Sequence, residues 1–333
     1  VQRLVSIVAL VLVVGAGWKF LQDGSSGGSG SDTGSPPDLF APASKVAASG
    51  GSPPVAWAGP TIRIASFNIQ VFGRAKEQNV AAMQTLAAII RNFDVIAVQE
   101  IRIKDDFLLQ RFLSTYLNPL SGRSYDYVLG PRLGRSSSKE QYAFIYDTNR
   151  VEVDQNHTYT VRDPDDLLHR EPFVAMFRVR GPPPGEAFTF VLVNIHTDPD
   201  EVETELNDLA KVCRAVRVAA LSEDDIILLG DFNVDGQHMG ELGKIPGLCP
   251  LISEVFTNTR QTALYDNVLI HHPSTAEFVG RAGVYDILRL HNLKLSEALQ
   301  VSDHMPVWAE FSIYESMKPG RVASNPEVTT GQK

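Results

Sequence analysis

The run Ile226-Ile227-Leu228-Leu229-Gly230-Asp231-Phe232-Asn233 constrains this chain more than any other stretch. Four consecutive large aliphatic residues that stop at Gly-Asp-x-Asn read as a buried strand whose C-terminal end delivers a carboxylate and an amide. Asp231 and Asn233 are two positions apart, so an extended chain presents both on one side and turns Phe232 into apolar packing on the other. Taken alone, the same letters also describe an ordinary Asp/Asn turn. The rest of the chain decides between the two.

The same pattern recurs. Residues 61–69 alternate and are rich in β-formers, with Asn68 near the end, and residues 94–100 form a short apolar run that ends in Glu100, with Arg102 just beyond. Between them Val80, Met83, Leu86, Ile89 and Ile90 follow helical spacing over 79–91, and 107–117 reads as another outer helix. A Gly/Ser-rich loop over 134–138 leads to an alternating strand with Glu140 at its mouth. Arg170-Glu171-Pro172 precedes a strand at 173–179, and a strand over 188–195 ends in His196. Residues 203–221 are amphipathic, with Leu206, Leu209, Val212, Cys213 and Val216 on one stripe. Asp266 stands at the start of a strand over 265–270, and Asp303-His304 lies just before the last strand.

Asn68, Glu100, Glu140, His196, Asp231, Asn233, Asp266, Asp303 and His304 therefore all fall at strand edges or loop mouths. Singly, each is more often a capped turn or a solvated polar group than a catalyst. Together they supply what phosphoester hydrolysis near neutral pH requires: oxygen ligands for a hard cation, a group that activates water, and donors for the charge that develops on phosphate. The two cysteines, Cys213 and Cys249, lack metal-ligand spacing and are too few for a disulfide framework, so buried thiols are expected. Oxygen-rich ligands with few histidines argue for Mg²⁺ or Mn²⁺ and against structural zinc.

The net charge of −9 makes the chain a poor general binder of polyanions, so contact with phosphates has to come from local arginines and a cation. At 333 residues and 44% hydrophobic content it can hold one large domain or two modest ones. An apolar run at residues 4–18 behind Arg3 makes 1–22 an expected membrane anchor or signal peptide, which would place the remainder of the chain outside the cytoplasm, tethered or secreted. Residues 23–60 are Gly, Ser, Pro and Ala with hardly a large apolar side chain and read as a disordered linker; 318–333 reads as a disordered tail. That leaves 61–317 as the folded domain.

At these residues the chain resembles the endonuclease/exonuclease/phosphatase superfamily, and within it the deoxyribonuclease I branch. The general features are Asn68, Gln99-Glu100, Gly230-Asp231-Phe232-Asn233 and Ser302-Asp303-His304; the branch-specific ones are Phe67-Asn68-Ile69 with Phe72-Gly73, Gly134-Arg135 leading to Lys139-Glu140-x-Tyr142, Arg170-Glu171-Pro172 and His196-Thr197-x-Pro199. The resemblance implies an α/β (α+β) fold, a four-layer sandwich of two packed mixed β-sheets flanked by helices, with a metal-dependent phosphodiesterase site at the strand ends. It implies that Glu100, Asn68, Asp303 and Asp231 hold the metal and that Asp231 and Asn233 orient the phosphate. Glu140 would pair with His196, and Asp266 with His304, as two carboxylate–histidine couples; which ring activates water stays open. Arg102 and Arg170 match DNA-contacting positions, and Asp166, Glu171, Thr257 and Thr259 match parts of the family's calcium loops.

There are departures as well. Ser138 replaces an aromatic residue that reaches the minor groove, and Gly236 and Ala263 stand where the family has its main disulfide. The resemblance thus implies a DNA endonuclease leaving 5′-phosphate ends, monomeric and exported, with Mg²⁺ or Mn²⁺ and a structural Ca²⁺. Its alternatives are a phosphoesterase acting on a lipid headgroup or small phosphodiester, and a non-catalytic binding module.

Overall fold

The computed structural model describes residues 60–105, 107–120, 122–135, 139–220 and 223–315. The expected anchor and tail, the linker apart from Pro60, and Ser138 lie outside them. Twelve strands form two six-stranded sheets: β1 (Thr61–Phe72), β2 (Val95–Ile101), β3 (Tyr125–Leu129), β4 (Gln141–Asp147), β5 (Val151–Thr160), β6 (Phe173–Val179), β7 (Thr189–His196), β8 (Ile226–Asp231), β9 (Leu248–Pro250), β10 (Asp266–His271), β11 (Phe278–Val284) and β12 (Val307–Ser312). The first sheet runs β11-β12-β1-β2-β4-β3 and the second β5-β6-β7-β8-β10-β9.

Each sheet is antiparallel except at its centre, where β1 pairs with β2 and β7 with β8 in parallel. A parallel pair needs a long crossover, and here each is a helix that covers the outer face. Val80–Ile90 joins β1 to β2 and Val202–Ala219 joins β7 to β8. Asn79 caps the first of these helices by accepting the Ala82 N–H.

The aliphatic run at 226–229 now has its reason. Ile227 and Leu229 point between the sheets with Phe144, Phe177, Phe190 and Phe311, while Ile226 and Leu228 point outward onto Leu206, Leu209, Val212 and Val216 of the helix Val202–Ala219. A strand covered on both faces has no solvent side and so shows no alternation. The first sheet repeats this, with Ile62 and Ile64 inward and Phe67 and Ile69 outward against Leu86 and Ile90. Helix, sheet, sheet, helix is the four-layer sandwich that the resemblance implied.

Two expectations are refined. The helix over 107–117 is an α-helix, Leu108–Phe112, that widens into a π-turn, Leu113–Leu117. Cys213 is buried in the outer core as expected, whereas Cys249 is only half-buried, and both thiols are free.

Candidate active site

The parallel pairs at the two sheet centres end at the same pole, and the site is built on their four strand ends. In the second sheet β7 and β8 put His196 opposite Asp231. Their approach is close enough that a Cβ on Gly230, whose φ is +152°, would sit 1.8 Å from the Ile195 carbonyl oxygen, so only glycine fits there. Phe232 turns into the outer core as alternation requires.

Asn233 does not follow that alternation. Its φ is +52°, its N–H donates to Asp231 Oδ1 at 3.0 Å, and its Nδ2 donates to the Thr197 carbonyl at 2.9 Å. The strand ends at Asp231, and a side-chain turn, not the strand pleat, positions Asn233.

In the first sheet the pairing of β1 with β2 shifts between Asn68 and Phe72, and Gln70, Val71 and Glu100 all take left-handed φ values of +32°, +51° and +63°. Backbone strain of this kind is held only where the surroundings enforce it. Here Glu100 Oε2 accepts the Val71 N–H at 2.8 Å, and the Lys76 ammonium donates to the carbonyls of Ile69, Gln70 and Val301 at 2.5–2.6 Å. Burial lowers the Lys76 pKa to about 8, against the pull of Glu100 and Asp303. Gln70 Nε2 in turn donates to Asp303 Oδ2 at 2.8 Å. Lys76 and Gln70 were not foreseen; a lysine on the single-turn helix Arg74–Glu77 carries no local signal that it will cap a distant turn.

Across the two sheets Asn68 Nδ2 donates to Glu100 Oε1 at 3.2 Å and to Asp231 Oδ2 at 3.0 Å. Its own oxygen accepts the Gln70 N–H, so the amide links the two acids as a donor, and ligation of a cation through its oxygen would require the amide to turn.

Both expected couples form. Glu140 Oε1 lies 2.7 Å from His196 Nδ1, and Asp266 Oδ2 lies 2.9 Å from His304 Nδ1. Each Nε2 is then 3.6 Å from one and the same atom, Asp231 Oδ2. Ser302 sets His304 by accepting its N–H and donating to the Asn68 carbonyl at 2.6 Å.

Burial disfavours the charged ring in both couples, yet the carboxylates win. His304 is raised to about 10 by Asp266 and Asp231, and His196 is raised by Glu140 and Asp231. The acids diverge. Burial pushes Asp266 up to about 6, whereas at Glu140 His196, Arg170 and Arg102 overcome burial and hold the carboxyl below its usual range.

Arg170 and Arg102, expected at DNA, both face Glu140 at 3.3 Å. Arg170 is only 6% exposed, as is His196, and also reaches the His196 carbonyl at 3.4 Å, so it holds the first couple from within the site. Arg102 is half-buried and bridges Glu100 at 3.2 Å to Glu140.

Three of the four expected calcium residues have protein partners. Thr257 Oγ1 accepts the N–H groups of Tyr265 and Asp266, Thr259 Oγ1 donates to the carbonyls of Ser302 and His304, and Asp166 is exposed and paired with Arg135. The threonines therefore position the second couple. Glu171 is half-buried beside the core residue Pro172.

A hard dication fits the donor set. Glu100 and Asp231 are oxygen donors joined through the Asn68 amide, and Asp303, which accepts from Gln70, has its Oδ1 buried without a hydrogen-bond partner. Asp231, Asp266 and His304 bring ligand atoms within 4.8 Å of one another, adding two residues expected for proton transfer to the cation's surroundings.

Comparison with known proteins agrees with this geometry. The sequence pattern of the Endonuclease/Exonuclease/phosphatase family matches residues 65–304. Deoxyribonuclease gamma of Rattus norvegicus is 34% identical over 272 residues, which is 77% of this chain and 86% of that protein. Human deoxyribonuclease-1-like 1 is 32% identical over 265 residues, 76% and 85% of the two chains. Among solved structures, an endonuclease/exonuclease/phosphatase family protein from Leptotrichia buccalis superposes with a TM-score of 0.51 at 17% identity, covering 75% of this chain and 99% of that one, a likeness of fold.

Proposed function

The chain belongs to the endonuclease/exonuclease/phosphatase family, and from that premise we propose that it is a divalent-cation-dependent DNA endonuclease, exported, that leaves 5′-phosphate ends. The observation that carries this is the convergence of two carboxylate-backed imidazoles, each with Nε2 3.6 Å from Asp231 Oδ2, on one buried point. The naming of the relatives as deoxyribonucleases supports DNA as the substrate. Residues 1–22 would then serve as anchor or signal, 23–60 as tether, 61–317 as the catalytic unit and 318–333 as tail.

In this reading Glu100, Asp231 and Asp303 would hold Mg²⁺ or Mn²⁺, which when bound would supply Lewis-acid charge to the scissile phosphate. The chain's own residues do the rest. Asn68 fixes the relative positions of Glu100 and Asp231. Asp231 and Asn233 orient the phosphate, and Glu140 and Asp266 fix each ring with Nδ1 toward its carboxylate, leaving Nε2 free for the substrate. One Nε2, neutral, takes the proton of the attacking water while the other, charged, gives its proton to the leaving oxygen. Arg102, half-buried beside Glu100, would meet a neighbouring phosphate.

The test is nicking of supercoiled plasmid by the purified full chain with Mg²⁺ or Mn²⁺, followed by ligation of the products without prior phosphorylation. Nicking that EDTA abolishes, with directly ligatable ends, is the expected result; no nicking with either metal would sink the proposal. The net charge of −9 favours, as a second reading, a lipid headgroup or other small phosphodiester, and a panel of phospholipid and nucleotide esters beside duplex DNA, single strands and RNA separates the two. Cell fractionation tests export.

A further inference from the structure

The pole of the sandwich opposite the active site gathers carboxylates. Asp225 immediately precedes β8 and stands six residues before Asp231, roughly 20 Å away at the ~3.3 Å rise of a strand. Glu277 immediately precedes β11, and Glu315 follows β12, so this end joins the second sheet to the first. One carboxylate oxygen from each of Asp225, Glu277 and Glu315 lies within 4.8 Å of the other two, and Glu223, Asp224 and Asp225 form a second such set that shares Asp225.

Asp225 is the unusual member. It is 0% exposed, and neither of its oxygens has a hydrogen-bond partner. The Thr275 hydroxyl, itself buried without a hydrogen-bond partner, stands near enough to favour the carboxylate. The strongest charges acting on Asp225 and Glu223 are other carboxylates. Around them the orientation is set: Glu223 Oε1 accepts the Asp225 N–H at 2.8 Å, and Glu315 Oε2 accepts the Thr189 N–H at 3.2 Å.

A buried carboxylate with no donor and no cation is costly, and it is relieved by a proton or by a metal ion.

We propose that this cluster is a calcium site, with Asp225 as the central ligand and Glu277 and Glu315 as ligands from the other sheet, clamping the two sheets together at the end remote from catalysis. Oxygens up to 4.8 Å apart suit two bonds of about 2.4 Å to one ion, a wider and less regular shell than the ~2.1 Å octahedron of Mg²⁺. The partly exposed Glu315 and Asp224 leave a path for entry.

The experiment compares full-length wild type with Asp225→Asn by calcium titration calorimetry and by thermal melting in EDTA, Ca²⁺ and Mg²⁺. Asp225→Asn is expected to lose one calcium equivalent and the calcium-dependent rise in Tm, which for wild type should be about 5 °C or more near 100-fold Kd. In EDTA the variant should melt close to wild type, because the Asp225 carboxyl has no hydrogen-bond partner to lose, and its plasmid nicking should stay within about twofold, since the cluster lies at the pole remote from catalysis. Should Asp225→Asn fail to fold, Glu277→Gln decides, with an expected affinity loss of about tenfold or more, since losing even an outer-shell partner of a metal site costs that much. Unchanged calcium stoichiometry in the folded variant would overturn the site and leave the cluster to shared protons. An equal Tm rise with Mg²⁺ at the same concentration would overturn the assignment to calcium.

Discussion

Glu140–His196 and Asp266–His304 approach one Asp231 oxygen from opposite sides at the same 3.6 Å, but their surroundings differ in sign. Behind Glu140 stand Arg170 and Arg102, each 3.3 Å away. Beside Asp266 stands Asp231, and beside His304 stands Asp303 as well, with Oδ1 3.8 Å from Nε2. Glu140 is therefore held charged and His196 is raised by Glu140 and Asp231 against the smaller opposing charge of Arg170, while Asp266 rises to about 6 and His304 to about 10. The lesson is that each ring is protonated chiefly by its own carboxylate, and the charges behind the couple then adjust it: Arg170 works against the proton on His196, and Asp303 works for the proton on His304. The arginine-backed couple keeps its acid ionised, and the acid-backed couple keeps its imidazole protonated into the alkaline range.

The severest trial of this comparison is to remove the rings. His196→Ala and His304→Ala should each lower plasmid nicking by about 10²–10⁴-fold, the usual worth of a positioned acid or base. If the two rings act on one phosphate, the double variant should lose little beyond the worse single one. Multiplying losses in steady-state nicking assays would separate the couples.

Stability sharpens the contrast next. Arg170→Met strands the Glu140 carboxylate in the interior, and urea unfolding should register a loss of about 3 kcal/mol or more. Thr257→Val, which removes the acceptor of the Tyr265 and Asp266 N–H groups, should cost about 1–3 kcal/mol. Equal losses would mean that the arginine contributes packing only.

The pH dependence carries a definite sign. The folded pKa of His304 lies above the unfolded value of 6.5, so its contribution to stability is full below pH 6.5 and is lost as pH rises through about 10. Asp266 is raised too, from 3.8 to about 6, so it also favours the folded state at low pH and loses that contribution as pH passes about 6. In EDTA the stability gap between wild type and His304→Ala should therefore be widest near pH 6 and close toward pH 10, as followed by denaturant titration at each pH. The smallest effect concerns cation binding. Adding Mn²⁺ at neutral pH should release on the order of one proton, because ligand carboxylates and imidazoles must give up theirs, and His304→Ala should release fewer. Calorimetry in buffers of different ionisation enthalpy reads this directly.

Much of the fold was legible because its signals are local. The strand at 173–179 falls on β6 residue for residue, and the apolar spacing from Val80 to Ile90 marks its helix to the cap. Side chains alternate or recur over a few residues, so burial leaves its print on neighbouring letters. The acids at strand ends, Glu100 and Asp231, were legible for the same reason. Other features were not. Asn233 leaves the pleat through a left-handed turn, Lys76 caps carbonyls from β1 and from Val301 far along the chain, and Arg170 turns inward to Glu140. Nothing beside these residues in the chain distinguishes an arginine that meets solvent from one that is buried against a partner.

By itself, the chain determined where its strands end, that their central members are covered on both faces, and that carboxylates, amides and imidazoles gather at strand ends. Only the packing of one sheet on the other decided which acid meets which ring, across 56 residues for Glu140 and His196 and 38 for Asp266 and His304, and which charge stands behind each. A local pattern is written by neighbours in the chain. A proton's affinity for a buried ring is written by whatever the folded interior brings within a few ångströms of it, and that is a property of the tertiary structure.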